Sequence, residues 1–132
     1  MTGEAAGSEV AGLAIRRGDI VTAVAQGAYG KPRPMIVVQS DALNRHHPSV
    51  ILCPLTSHLL DAPEIRVPLE PDSTNGLKAS SQAMSDKLFA LDRRRIGGLV
   101  GRLSNRDMER VEAAIRICLQ LPDPKRAGDE GA

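Results

Sequence analysis

Val50-Ile51-Leu52-Cys53-Pro54-Leu55 is a short apolar run that stops abruptly at Thr56-Ser57-His58. It is preceded by a second such run, Pro34-Met35-Ile36-Val37-Val38-Gln39. Neither is long enough for a typical helix, and their β-branched content points to strands. The earlier run is continuously apolar, which predicts burial on both faces, and its proline stands at the first position, where a strand tolerates one. Working outward, Arg17-Gly18-Asp19-Ile20-Val21-Thr22-Ala23-Val24 is a further β-branched stretch. Residues 26–32 (QGAYGKP) and 40–49 read as loops. Glu64-Ile65-Arg66-Val67-Pro68-Leu69 alternates polar and apolar, the pattern of a half-exposed edge strand, and Asn75-Gly76 is a hairpin signal. Ser80–Asp86, Lys87–Leu91 and Ile96–Arg102 complete the strand candidates.

One helix follows. Ser104 and Asp107 resemble a capping box, and Met108, Val111, Ile115 and Cys118 recur at helical spacing until Pro122. The stripe predicts packing on the core. The expected fold is mainly β with a C-terminal helix: five to seven short strands in a small curved sheet, at the turn spacing of a barrel.

Composition narrows the function. The chain has 132 residues, one Tyr, one Phe and no Trp. That fits one domain and argues against recognition by stacked bases, since only Tyr29 and Phe89 could stack. The ends, 1–14 and 122–132, are rich in Ala, Gly and Pro and read as disordered tails around a domain at 15–121. Without them the formal net charge rises from +1 to +4, which suits a polyanionic partner. No apolar run reaches the roughly 18 residues of a membrane span. The N-terminus lacks the pattern of a signal peptide, so a cytoplasmic protein is expected. Cys53 and Cys118 sit in apolar contexts and read as free buried thiols. No metal-ligand spacing is present, and no cofactor is expected.

The residues left for chemistry sit at strand ends. Arg33 lies between two prolines. Thr56 and Ser57 stand where a strand leaves its apolar run. Asp86-Lys87 interrupt an apolar region, and Arg93-Arg94-Arg95 follow, most simply as a solvated turn. Together they make a cationic, hydroxyl-bearing rim suited to a phosphodiester.

These strings, in order, resemble the MazF/PemK toxins: Arg17-Gly18-Asp19-Ile20-Val21, Arg33-Pro34-Met35-Ile36-Val37-Val38, Val50 to Ser57, Gly76-Leu77-Lys78, Met84-Ser85-Asp86-Lys87-Leu88, and Ile96 to Ser104. The resemblance spans about 15–121. It implies an SH3-like barrel of the CcdB/PemK kind and a homodimer. It implies a metal-independent endoribonuclease that cuts single-stranded RNA at short sequences, inhibits translation and is held by a MazE-type antitoxin. The residues matching the family's active site are Arg33 and Thr56. RNA contacts would fall to Arg17, Lys31, Ser57, His58, Asp86 and Lys87. On chemistry alone Asp86 is equally a strand-end ion pair, and Arg17 with Asp19 a tie between the first strand and the barrel. Many members carry Gln at the position of Lys87 and Arg at that of Phe89. Two rival functions use the same fold: a gyrase poison like CcdB, and a binding module that has lost catalysis. The helix end, Cys118-Leu119-Gln120-Leu121-Pro122, lacks the aromatic and charged pattern of the gyrase poisons.

Overall fold

A computed structural model of the chain describes residues 14–25 and 31–124. Tyr29, most of the 26–32 loop and nearly all of both predicted tails lie outside the described residues. Among the described residues there are seven strands: β1 (Asp19–Ala23), β2 (Arg33–Val37), β3 (Ser49–Thr56), β4 (Arg66–Leu69), β5 (Ser81–Met84), β6 (Phe89–Asp92) and β7 (Ile96–Arg102). Two helices accompany them there, α1 (Asp41–Asn44) and α2 (Asn105–Leu119). Single 3-10 turns at Ser85–Lys87 and Arg93–Arg95 flank β6.

All described pairings are antiparallel, in the order β4-β5-β3-β2-β1-β7, with β6 joined to β3. β3 is the hub. Its first half, Ser49–Leu52, pairs with β6, while Leu55 and Thr56 pair with β5. The sheet is therefore barrel-like without closing by hydrogen bonds between β4 and β7. The connection from β4 to β5 fills that gap. Arg102 N donates to Thr74 O at 2.9 Å, and Gly76 and Gly101 let two backbones touch. A Cβ on Gly76 would stand 2.3 Å from Val100 O, and one on Gly101 the same distance from Asn75 O.

β2 shows why its sequence is apolar throughout. Met35, Ile36 and Val37 are all at most 2% exposed, yet successive strand residues face opposite ways. Ile36 joins one cluster with Ile20, Cys53, Leu55, Leu69 and the helix residues Met108, Val111 and Ala114. Met35 and Val37 join another with Val21, Val50, Leu52 and Leu91. Each fully buried aliphatic side chain contributes roughly 1.5–3 kcal/mol of transfer free energy. Phe89 packs on the second cluster rather than facing a groove.

The helix follows its sequence signals. Ser104 Oγ accepts from Asp107 N at 3.1 Å. Asp107 does not complete a capping box; its carboxylate is held by Arg110 Nη1 at 2.8 Å. The chain leaves α2 through Gln120 in the left-handed region, φ 57°, ahead of Pro122. Cys118 is only half-buried, 3.6 Å from Ser85 Oγ, whereas Cys53 is buried and burial pushes its thiol up to about 12.

Besides the burial of Cys118, four expectations change. The 40–49 segment holds α1, because Asn44 turns inward to meet Gln39 and Asp41. Asn75-Gly76 does not form a tight two-residue hairpin. β4 and β5 do pair, but the connection is long, and Asn75 is buried at its centre, accepting from Asp72 N and Leu77 N and donating to Glu70 O. Arg66, expected on an exposed face, is buried. Arg93 is buried too rather than part of a solvated turn. Its long stem reaches inward, and its Nε donates to His47 O at 3.0 Å, stapling the 47–48 loop to the end of β6. Arg94 stays exposed and holds Asp92, whose carboxyl falls to about 2.

Candidate active site

Arg33 is the first residue of β2 and lies opposite Ala23 of β1. Thr56 is the last residue of β3. Because β2 and β3 are antiparallel, the start of one and the end of the other meet at the same edge. A cleft of about 310 Å³ opens there. Arg33, Thr56 and Ser57 line it, together with Leu77, Lys78 and Ala79 of the β4–β5 connection. Thr22 of β1 and Val100 of β7 also line it.

The charge of the cleft is one-sided. Among the described residues, Arg33 and Lys78 line it and no Asp or Glu does. Neither cation forms an ion pair among the described residues. Three hydroxyl side chains, from Thr22, Thr56 and Ser57, add donors, while Ser81, which also lines the cleft, spends its hydroxyl proton on Ala79 O at 2.9 Å. Thr56 Oγ1 accepts from His58 N at 3.0 Å, and Thr22 Oγ1 accepts from Gly98 N at 3.0 Å. Each backbone amide occupies an oxygen lone pair and leaves the hydroxyl proton to donate outward. Cations and aimed hydroxyl donors without a carboxylate form a site for an anion. Among the described residues, no three His, Cys, Asp or Glu side chains gather as a metal centre would need.

The other sequence candidates stand elsewhere. Arg17 Nη2 pairs with Glu112 of α2 at 2.6 Å, tying the start of β1 to the helix. Asp19 does the same for β7 through Arg102 at 2.7 Å. Asp86 lies by the helix end, where Arg66 Nε reaches its Oδ1 at 3.2 Å. Lys87 is exposed beside it, and neither Asp86 nor Lys87 lines the cleft. Lys31 and His58 are exposed; His58 touches the site only through its backbone. Two lining residues escaped the sequence reading of the site. Thr22 looked like any β-former, and only its pairing opposite Pro34 sets it beside Arg33. Lys78 belongs to the Gly76-Leu77-Lys78 string, which carried the resemblance but no assigned role.

The Arg66–Asp86 pair is a stabilising contact, since Arg66 is buried and needs the carboxylate. Asp86→Ala is expected to cost about 1–2 kcal/mol in urea denaturation, with anion binding in the cleft unchanged. Weaker binding at unchanged stability would return Asp86 to the site.

A small helix-backed, barrel-like antiparallel sheet with a cationic cleft at its strand ends is the class that fold and site define. The chain belongs to the family of PemK-like, MazF-like toxins of type II toxin–antitoxin systems, whose pattern matches residues 16–119. It is 42% identical over 108 residues to a probable endoribonuclease MazF of Mycolicibacterium smegmatis, covering 81% of this chain and 98% of that relative. It is 27% identical over 116 residues to the endoribonuclease EndoA of Bacillus subtilis, covering 84% and 99%. Among solved structures, an endoribonuclease in complex with its cognate antitoxin from a mycobacterial species superposes with a TM-score of 0.71 at 25% identity, over 84% of this chain and 100% of that one. A MazE–MazF complex from Deinococcus radiodurans shares the fold, with a TM-score of 0.66 at 21% identity over 83% and 99%.

Proposed function

We propose that the chain is an endoribonuclease toxin that cleaves single-stranded RNA without a metal ion. The observation that carries this reading is the cleft that joins Arg33 to Thr56 and excludes carboxylates. The RNA 2′-OH attacks the adjacent phosphorus and loses its proton to solvent. A 2′-O–P bond forms, the P–O5′ bond breaks, and the leaving 5′-oxygen takes up a proton. The products are a 2′,3′-cyclic phosphate and a 5′-hydroxyl. Charge builds on the phosphoryl oxygens as the fifth bond forms. The Arg33 guanidinium neutralises it, and the Thr56 hydroxyl donates to one oxygen. A guanidinium has no lone pair to accept a proton, so Arg33 acts by its charge. The catalytic unit is the domain at 15–121. It acts in the cytoplasm as a homodimer, blocks translation by destroying RNA, and is restrained by an antitoxin of the MazE kind, whose binding closes the cleft.

Single-stranded RNA incubated with the purified protein in EDTA is expected to be cut, leaving cyclic phosphate ends. A DNA strand of the same sequence lacks the attacking 2′-OH and is expected to remain intact. RNA left whole in EDTA but cut when magnesium is restored would overturn the metal-free reading. A supercoiling assay separates the gyrase-poison alternative, which would act on gyrase and spare RNA.

A further inference from the structure

The reaction at Arg33 and Thr56 uses two polar residues of the cleft and leaves Lys78, which lines it too, without a task. We propose that Lys78 anchors a phosphate neighbouring the one that is cleaved, and so sets affinity for the RNA strand rather than the rate of the chemical step. This rests on the nuclease reading above.

Three observations carry it. First, Lys78 and Arg33 line the same cleft from different parts of the chain, and among the described residues no carboxylate lines it or pairs with either. A strand crossing that space presents one charge per nucleotide, and a second cation is matched to a second phosphate. Second, the segment that carries Lys78 is built to hold its position. Asp72 Oδ1 accepts from Thr74 N and Asn75 N, and the Asn75 side chain bonds to residues on both sides of it. Gly76 rests on the backbone of Val100, and Leu77 is buried. The lysine therefore leaves a fixed platform, although its side chain is free to move. Third, an ammonium on a flexible stem is a point charge that binds phosphate without the fork geometry that a transition state demands. That suits an anchor and leaves the directional role to Arg33.

The test is the salt dependence of binding to a short, mixed-sequence, fully 2′-O-methylated RNA, which keeps every phosphate and cannot be cleaved. Loss of one phosphate contact on a single strand lowers the slope of log K against log salt by about 0.7. Lys78→Gln is expected to flatten the slope by that amount, to raise KM on cleavable RNA and to leave kcat unchanged. Lys78→Arg is expected to keep the slope. Arg106→Gln removes an equal charge from an exposed position outside the cleft and is expected to keep it too. Thermal melts are expected to show each variant as stable as wild type. The proposal is overturned if Lys78→Gln leaves the slope unchanged, if Arg106→Gln flattens it equally, or if kcat falls while KM holds. A wild type that cleaves RNA while Lys78→Gln binds normally defeats this proposal alone. A wild type that cleaves no RNA defeats the nuclease reading itself.

Discussion

Arg33→Ala is expected to lower kcat for RNA cleavage by about two to three orders of magnitude, the loss associated with one well-placed donor to a developing oxyanion, roughly 3–4 kcal/mol. KM should change much less. A contact made mainly as charge accumulates on phosphorus stabilises the transition state more than the bound substrate, so its removal appears in kcat. The fold should survive, because Arg33 is exposed and forms no ion pair among the described residues, while the rest of β2 is held by its buried neighbours. Arg33→Lys should recover only part of the rate, since an ammonium keeps the charge and loses the paired geometry. Cleavage by Arg33→Ala at the wild-type rate would remove the central element of the mechanism.

The second large effect concerns stability. Gly76 has φ +69°, and a Cβ there would lie 2.3 Å from Val100 O. Alanine must therefore accept a left-handed backbone, costing about 1 kcal/mol, and displace a strand carbonyl, costing about 1–3 kcal/mol more. Gly76→Ala is expected to lose about 2–4 kcal/mol and to drop Tm by about 10 °C or more. Gly98 is the control. No atom lies within 4 Å of its would-be Cβ, and its φ is not positive. Gly98→Ala should stay within about 0.5 kcal/mol of wild type. Equal stability of the two variants would show that the turn and β7 separate easily. Because the displaced turn carries Leu77 and Lys78, RNA affinity should fall along with Tm in Gly76→Ala.

Much of this fold was legible because its signals are local. The unbroken apolar character of Met35 to Val37 announced a strand covered on both sides, and two separate clusters account for it. Ser104, the Met108–Val111 spacing and Pro122 marked the helix. Arg33 and Thr56 could be named as strand-end residues, and the resemblance gave them their role. What stayed hidden depends on tertiary pairing. Whether Arg66 faces water or Asp86 depends on where the 3-10 turn at Ser85–Lys87 lies. Arg93 follows an acidic residue in a run of arginines, and nothing in that string shows that its stem folds under the 47–48 loop. Thr22 gains its place from the register of β1 against β2. The Asn75-Gly76 pair has the composition of a tight hairpin, but its partner is β7, which follows it in the chain by more than a strand's length and is invisible to any local window.

The pairing of β1 with β7 also bears on the order of synthesis. Asp19 meets Arg102 across nearly the whole length of the domain. Val100 lines the cleft, and the turn bearing Lys78 rests on the same strand. A nascent chain that has emerged only as far as β6 already contains Arg33, Thr56 and Lys78, yet has no strand to settle the turn against. Non-local closure of this kind is the slow part of β folding. Both strand-end residues therefore leave the ribosome well before the cleft that gathers them is complete.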